Sequence, residues 1–294
     1  MRTILLLIAI IFFSCSKNLS KPNSTFGDSS TLDIVTWNIE YFPKNSSTIN
    51  MTAPIMVNLN VDIFALQEIT NEQAFINLSN DLGEDWIGYR SENSDYGEPA
   101  FLVNTSQIEI INEPYQILDE YSGYPENYFT YREPYVLEFI HKEISYVIIN
   151  IHYKCCGDGE INFYDENDEE YRRYQSSVLL EEYINDNFED KNVILLGDFN
   201  DQLSDITKHN VFIPFLNNQT KYEFTDHYIE IDNDISFFSY PTWPSHLDHI
   251  LISNELFNNV ILTKTIRVED QMPNGWEDYE GTISDHRPVG IRID

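Results

Sequence analysis

The sequence predicts one α/β domain in which a pair of mixed β-sheets lies between helices. Short apolar runs of strand length recur along the chain; helical segments separate some of them, and others are joined as hairpins. Because helices and strands alternate irregularly, a purely parallel sheet is not expected. The 294 residues, 42% hydrophobic and 14% aromatic, are ample for one large core.

The first half of the chain supplies strands more often than helices. Apolar and β-branched runs predict strands at Leu32–Ile39, Val61–Leu66, Trp86–Arg90, Pro99–Asn104 and Ile108–Ile111, and a hairpin of Tyr135–Ile140 with Ser145–Ile151. Helical periodicity is weak at Asn50–Asn60 and clearer at Asn71–Leu78. The Tyr-, Gly- and Pro-containing segment Tyr121–Tyr131 is predicted to be a loop.

The second half is organised around the apolar run Val193–Leu196, which is typical of a buried strand. The preceding segment, Tyr171–Phe188, has apolar residues at helical spacing and predicts a helix. Further strands are predicted at Ile250–Ile252, Val260–Val268 and Val289–Ile293, whereas 212–239 reads as loop-rich. The acidic segment Asp158–Glu170 is expected to be solvated and mobile, with calcium binding as the alternative.

The charge balance restricts the partners that the protein can bind. It has 17 Lys and Arg residues against 49 Asp and Glu residues, a formal net charge of −32. Binding of nucleic acid or anionic lipid through a broad basic face is therefore disfavoured. A polyanionic partner would need divalent cations, added salt or a local basic pocket. The acidity itself is also typical of proteins kept soluble in a salty medium.

The N-terminus has the pattern of a targeting segment. A positive charge at Arg2 precedes the apolar run Ile4–Phe13, which is too short to span a bilayer and meets Ser14-Cys15. This pattern resembles a bacterial lipoprotein signal covering residues 1–14, with lipidation of Cys15 anchoring the protein to a membrane. The alternative is an ordinary secretory signal. Both place the mature protein outside the cytoplasm.

The segments after the signal divide into a tether and a domain. Residues 15–31 are rich in Ser, Asn, Lys, Pro and Gly and predict a flexible tether, so the domain is expected at 32–294. Within the domain, Cys155 and Cys156 are adjacent, which permits either a strained vicinal disulfide or two free thiols. A zinc site is disfavoured because no second Cys or His pair stands at ligand spacing.

Polar side chains with oxygen or imidazole groups follow several of the predicted strands. They are Asn38, Glu40, Glu68, His152, Asp198, Asn200, Asp248, Asp285 and His286. Carboxylates and amides with a pair of histidines suit a hard cation bound through oxygen, and they suit hydrolysis of a phosphate ester. Asp226-His227 is a further possible metal pair, but we interpret it as structural.

Seven short motifs occur in the order found in a known superfamily. They are Trp37-Asn38-Ile39-Glu40, Leu66-Gln67-Glu68, Tyr131-Arg132-Glu133-Pro134, Asn150-Ile151-His152, Gly197-Asp198-Phe199-Asn200, Leu247-Asp248-His249 and Ser284-Asp285-His286-Arg287-Pro288. Through them, residues 32–294 resemble the endonuclease/exonuclease/phosphatase superfamily, which has the fold of deoxyribonuclease I. The resemblance implies a four-layer α/β sandwich with its site at one edge.

The resemblance also implies a role for each polar residue. Glu68 would be the main Mg²⁺ ligand, with Asn38 and Glu40 nearby and Asp285 as a second carboxylate on the metal side; Mn²⁺ or Ca²⁺ is the alternative ion. Asp198 would orient or deprotonate the attacking water, and Asn200 would position that water and the phosphate.

The remaining residues would handle the phosphate. His152 and His286 would contact it, Asp248 would pair with His286, and Glu98 would pair with His152. Arg132 would hold a phosphate oxygen, a task that suits a planar guanidinium.

The expected function is that of a monomeric, extracytoplasmic, Mg²⁺-dependent phosphodiesterase, most simply an endonuclease acting on nucleic acid. One alternative is hydrolysis of a phospholipid headgroup or a small phosphoester. Another is a scaffold lipoprotein that keeps the fold without catalysis, which the complete set of polar residues argues against. The insertion after His152, with Cys155, Cys156 and the acidic segment, is expected to shape the choice of substrate.

Overall fold

The structure is a computed structural model that describes residues 25–92, 97–121 and 127–294. Its strands are β1 Leu32–Phe42, β2 Ile63–Ile69, β3 Trp86–Arg90, β4 Glu98–Asn104, β5 Glu109–Ile110, β6 Tyr115–Gln116, β7 Tyr135–His141, β8 Ile144–His152, β9 Asn192–Asp198, β10 Tyr222–Phe224, β11 Asp248–Ser253, β12 Val260–Thr265 and β13 Val289–Ile293. Its α-helices are α1 Thr48–Leu59, α2 Glu72–Leu82, α3 Glu169–Asn187, α4 Ile213–Leu216, α5 His227–Asp232 and α6 Trp276–Thr282.

The strands form two mixed sheets. The first has the order β12-β13-β1-β2-β4-β3, and the second has the order β10-β11-β9-β8-β7-β5 with β6 paired to β7. In the first sheet β1 and β2 are parallel, and in the second β8 and β9 are parallel. The other pairings between the described strands are antiparallel, as between β7 and β8. The prediction of two mixed sheets is confirmed.

Apolar side chains between the sheets and on their outer faces create the four layers. Ile34 and Ile63 from the first sheet share one buried cluster with Leu137 and Ile194 from the second. The other face of each sheet packs against helices in a separate cluster, since strand side chains alternate between faces. The fold is therefore the four-layer α/β sandwich that the sequence predicted.

The domain begins before the predicted boundary at residue 32. Phe26 is 1% exposed and belongs to the cluster beneath α1. The backbone amides of Phe26 and Gly27 donate to the Leu59 carbonyl oxygen at 3.1 and 2.8 Å, and the Arg292 guanidinium lies 5.5 Å from the Phe26 ring centre. The last residues of the predicted tether are thus part of the fold. The predicted signal and Cys15 lie outside the described residues.

Several local predictions need adjustment. The strand predicted at Val260–Val268 ends at Thr265, and a 3₁₀ turn occupies Val268–Gln271. The loop-rich segment 212–239 contains α4, β10 and α5. The acidic segment is not solvated throughout: Asp168 caps α3 by accepting from the Tyr171 amide at 2.7 Å, and Glu170 is buried against Arg173.

A buried pair of amides joins the two sheets beneath the ends of β2 and β8. The Gln67 side chain donates to the Asn150 side-chain oxygen at 2.7 Å and to the Thr36 hydroxyl at 3.0 Å. The Asn150 side chain donates to the carbonyl oxygens of Leu66 and Ala100 at 2.9 and 3.1 Å. Because Gln67 precedes Glu68 and Asn150 lies two residues before His152, this bridge holds those two ends together.

No helix in the described ranges is sufficiently long and apolar to cross a membrane.

Candidate active site

The carboxyl ends of the parallel strands meet at one edge of the sandwich. In the second sheet, Asp198 stands opposite His152 on one side and opposite Asp248 on the other. In the first sheet, Asn38 stands opposite Gln67, so Glu68 follows one residue later. Register within each sheet, together with the packing of one sheet on the other, therefore brings these polar side chains to the same edge.

The backbone leaves regular strand geometry where the first sheet reaches the site. The pairing of β1 with β2 shifts register between Asn38 and Phe42, and Glu68 has a positive φ of 65°. Gly97 has a φ of +94°, and a Cβ there would lie 3.1 Å from the Glu68 Cα. Glycine at this position allows the two chain segments to approach.

Asn38 connects the carboxylates of the two sheets. Its side-chain amide donates to Glu68 Oε1 at 3.0 Å and to Asp198 Oδ2 at 2.9 Å. The other Glu68 oxygen accepts from the Tyr41 amide at 2.8 Å. Glu68 and Asp198, which come from different sheets, therefore share one amide group.

Asp198 is a buried carboxyl at the centre of the site. It is 1% exposed, and burial raises its pKa to about 7, with Asp248 adding to the rise and His286 opposing it. Its Oδ1 accepts from the Asn200 amide at 2.9 Å, and the Asn200 side chain donates to the Tyr153 carbonyl oxygen at 3.2 Å. A carboxyl that titrates near neutral pH can accept a proton from water.

His286 is held as an imidazolium by carboxylates. Its Nδ1 lies 2.8 Å from Asp248 Oδ2, and its Nε2 lies 3.8 Å from Asp198 Oδ2. Burial opposes protonation, but Asp248 and Asp198 outweigh it and raise the pKa of His286 to about 10. The ring is therefore charged at neutral pH, and the structure supports the predicted pairing with Asp248.

His152, in contrast to His286, is a neutral imidazole. Burial, together with the cations Arg132 and His286, holds the pKa of His152 well below its ordinary value, so the ring is neutral. Arg132 Nη1 lies 2.9 Å from Nδ1 of this ring, and Nη2 donates to the Thr130 hydroxyl at 2.7 Å. The ring lies 3.5 Å from Asp198. Arg132 is thus fixed at the site, where the sequence predicted it.

Glu40 and Asp285 form a second acidic pair beside this group. The Asp285 amide donates to Glu40 Oε2 at 2.9 Å, and the Lys44 ammonium contacts the same oxygen. Burial raises the pKa of Glu40, and the Asp285 charge adds to the rise. The pair is connected to Asn38, and through it to Glu68 and Asp198, by the Glu40 amide, which donates to Asn38 Oδ1 at 3.0 Å.

A comparison of the sequence with models of protein families finds a match over most of the chain. The sequence model of the Endonuclease/Exonuclease/phosphatase family matches residues 35–286. The chain belongs to this family. By class it is therefore a metal-dependent phosphoester hydrolase. No curated protein matches the sequence.

Solved structures of other family members share the fold. The structure described as D. rerio TDP2 complexed with single strand DNA product has a TM-score of 0.67 at 12% identity, covering 90% of this chain and 99% of that one. An endonuclease/exonuclease/phosphatase from Bacteroides vulgatus has a TM-score of 0.64 at 12% identity, with 90% and 98% covered. The human Nocturnin catalytic domain with bound sulfate anion has a TM-score of 0.61 at 15% identity, with 90% and 93% covered.

The donor atoms of this family member fit a hard divalent cation. Glu68, Asn38, Glu40 and Asp285 offer oxygen ligands, and these carboxylates exceed the nearby cations in number. A bound cation would offset the cost of gathering their charges in a partly buried site. In the described residues, Asp198, Asp248 and His286 also form a group whose ligand atoms lie within 4.8 Å of one another; Glu68 lies outside that group.

The structure does not place Glu98 where the resemblance implied. Its carboxylate accepts from the Ser91 hydroxyl, and no Glu98 oxygen lies within 4.0 Å of a His152 ring nitrogen. Ser91 follows β3, the neighbour of β4, and its amide bonds to the Pro99 carbonyl oxygen, which places its hydroxyl beside Glu98. The predicted pairing of Glu98 with His152 is therefore wrong, and Arg132 contacts that ring instead.

Two features of the site were not predicted, and for a third the sequence left two alternatives open. The Tyr240 ring lies over His286 with ring centres 4.9 Å apart, and no sequence motif signals this contact. The amide bridge of Gln67 and Asn150 lies within two recognised motifs, so its residues were visible but its role was not. Cys155 and Cys156 are free thiols whose sulfur atoms lie 2.9 Å apart.

A separate polar cluster lies inside the second sheet. Asp226 Oδ2 lies 2.6 Å from His249 Nδ1 and 3.0 Å from His246 Nε2, and its Oδ1 accepts from the Ile250 amide at 2.9 Å. All three side chains are fully buried. Burial opposes the charge on His249, but Asp226 raises the pKa of His249 to about 9. Asp226 therefore pairs with these histidines rather than with His227; its structural role stays a prediction, because the three residues also offer ligand atoms within 4.8 Å of one another.

Proposed function

We propose that the protein is a Mg²⁺-dependent phosphodiester hydrolase. The observation that carries this proposal is the continuous contact between Glu68, Asn38, Asp198, His286 and Asp248, which combines a candidate metal ligand, a base and a charged imidazole. Such a set can stabilise the charge that develops on a phosphoryl group and activate a water molecule.

The charge states support the following division of tasks. Asp198, with a pKa raised to about 7, accepts a proton from the attacking water, and Asn200 orients that water. The His286 imidazolium donates a hydrogen bond to a phosphoryl oxygen, while Asp248 holds the ring in position. Neutral His152 and the Arg132 guanidinium contact the remaining oxygens. A Mg²⁺ ion bound near Glu68 would neutralise charge on the phosphate.

We propose extracytoplasmic nucleic acid as the substrate. The relative from D. rerio that is described with a single strand DNA product supports this choice. Two exposed aromatic residues also lie next to site residues: Tyr41, whose amide bonds to Glu68, is 68% exposed, and Tyr131, which precedes Arg132, is 42% exposed. Aromatic stacking holds bases without requiring a basic surface.

The second candidate substrate is a phospholipid headgroup ester or another small phosphoester. The net charge of −32 favours it, because a small substrate requires no extended basic surface. The proposed lipid anchor on Cys15 would also hold such an enzyme at a membrane.

One panel of assays tests the function and separates the candidates. Hydrolysis of bis-p-nitrophenyl phosphate, plasmid DNA, a single-stranded oligonucleotide and sphingomyelin is measured with Mg²⁺, Mn²⁺ or Ca²⁺ and with EDTA. We expect Mg²⁺-dependent hydrolysis that EDTA abolishes, with the oligonucleotide cleaved fastest. Cleavage of sphingomyelin alone would favour the second candidate. No hydrolysis with any ion would support a scaffold protein.

Labelling with palmitate in a bacterial host tests the proposed anchor. We expect label in the full chain and none in Cys15→Ala. Unlabelled protein in the soluble fraction would contradict the anchor without affecting the proposed chemistry.

A further inference from the structure

A cleft of about 780 Å³ opens beside the catalytic edge, between α2, β3 and the segment 113–116. Its volume is in the range of small-molecule sites. The cleft and the catalytic site share one strand end: Ser91 lines the cleft and donates to Glu98, and the adjoining Gly97 lies against Glu68. The cleft takes no part in the chemistry proposed above.

The lining of the cleft combines aromatic rings with negative charge. Tyr89, Tyr115 and Tyr135 contribute phenol rings. Glu72, Glu92 and Glu113 contribute carboxylates, and all three are exposed. Arg90 is the cation among the described lining residues, and its guanidinium donates to the carbonyl oxygens of Ile69 and Ser91 at 3.1 and 3.2 Å.

Tyr135 carries a polar atom into the cleft without a protein partner. Its side chain is 5% exposed and stacks on Phe101 with ring centres 5.4 Å apart. Within the described ranges no hydrogen bond is formed by its hydroxyl, although Tyr115 in the same cleft donates to Glu138 at 3.1 Å. The hydroxyl is not among the described buried atoms that lack a partner, so it is open to the cleft and can bond to a polar atom of a ligand there.

The charges around the cleft determine which ionic charge a ligand bonded to the Tyr135 hydroxyl can carry. Burial raises the pKa of the Tyr135 phenol, and the charges of Glu92 and Glu113 raise it further, so the phenol stays neutral. The same carboxylates repel an anion and attract a cation. Mg²⁺ and Ca²⁺ are bound by converging oxygen atoms, whereas aromatic faces and a wide space suit an organic cation.

We infer that this cleft binds a substituted ammonium ion. The aromatic rings contact its alkyl groups and its charge, the rim carboxylates supply the counter-charge, and the Tyr135 hydroxyl bonds to a polar atom of the ligand. The ion has two possible sources: a free amine, or the cationic headgroup of a phosphodiester substrate. Only the second source depends on the proposed function.

Binding is tested on the full chain by isothermal titration calorimetry with choline chloride and with ethanolamine hydrochloride. Ionic strength is held constant with NaCl, because a protein of charge −32 attracts any cation weakly. We expect saturable binding of at least one amine. Tyr135→Phe keeps the ring and its stack on Phe101, and should weaken binding about tenfold. Glu113→Gln should weaken it severalfold.

Glu143→Gln is the matched control, because it removes one exposed carboxylate from the turn at the opposite end of β8 from His152. It should leave binding unchanged. Absence of saturable binding to the wild-type protein would overturn the inference. Binding that Tyr135→Phe and Glu113→Gln both leave intact would overturn the assignment to this cleft. Circular dichroism of each variant checks that it folds.

Kinetics then identify the source of the ion. If the cleft holds a substrate headgroup, Glu113→Gln raises KM for p-nitrophenyl phosphorylcholine and leaves KM for bis-p-nitrophenyl phosphate unchanged. If the ligand is a free amine, neither KM changes although binding is weakened. A protein that hydrolyses neither ester would contradict the proposed function, while calorimetry would still decide the binding inference.

Discussion

The amide bridge between Gln67 and Asn150 is predicted to stabilise the fold and to align the catalytic residues. Both side chains are completely buried, and the Gln67 amide is the donor to the Asn150 oxygen at 2.7 Å. Gln67→Met keeps the length of the side chain but leaves that oxygen without a partner. An unsatisfied buried acceptor costs about 1–3 kcal/mol, but Met also removes Gln67 Oε1, a buried oxygen without a partner in the described residues, so we expect a net loss of about 1 kcal/mol in the free energy of unfolding.

The double variant gives a sharper expectation than either single one. Asn150→Leu alone also removes the donor to the carbonyl oxygens of Leu66 and Ala100, so its loss should be about 2–3 kcal/mol. Replacing both amides removes the donor and the acceptor of this hydrogen bond together, so neither is left facing a missing partner. The combined loss should therefore fall short of the sum of the single losses by about 1 kcal/mol or more.

Urea unfolding followed by circular dichroism measures these values, and hydrolysis of bis-p-nitrophenyl phosphate measures turnover. We expect kcat to fall about tenfold or more in each single variant, because Glu68 and His152 follow the bridge on opposite sheets. Gln73→Met is the control: Gln73 donates to Asn77 at 3.2 Å on the exposed surface of α2, and its loss should change stability by less than about 0.5 kcal/mol. Additive losses, or destabilised variants with unchanged kcat, would refute the reasoning.

Three further predictions concern the charged groups. Asp248→Asn removes the carboxylate that raises the pKa of His286 to about 10. If that pKa returns to about 6.5, activity falls roughly thirtyfold at pH 8 relative to wild type. An unchanged pH–rate profile would contradict this prediction. Asp198→Ala should lower kcat by about 10² to 10⁴-fold, and a loss below tenfold in stopped assays would argue against its role as base. The pKa of His249 is raised to about 9 and that of Asp226 is lowered, so the contribution of this pair to stability is complete between about pH 4 and pH 6.5 and is lost as pH rises through 9. Asp226→Asn should therefore destabilise most in that window and by less at pH 9.5, as urea unfolding at several pH values would measure.

The predictions that held were those that depend on local pattern. The run Val193–Leu196 is a buried strand, and Asp198 follows at its carboxyl end because a carboxylate inside the apolar run would be costly. The identity of the family followed from short motifs in a fixed order, and the two mixed sheets followed from strand length and hairpins.

The sequence by itself therefore determined which residue types would stand at the strand ends, and hence the class of chemistry. Tertiary structure alone decided the partner of each side chain. Asn38 reaches Asp198 across 160 positions, Arg132 rather than Glu98 contacts His152, and Phe26 packs inside the domain. The physical reason is that a strand's side-chain alternation is local, whereas the pairing of side chains depends on sheet register and on the packing of one sheet against the other.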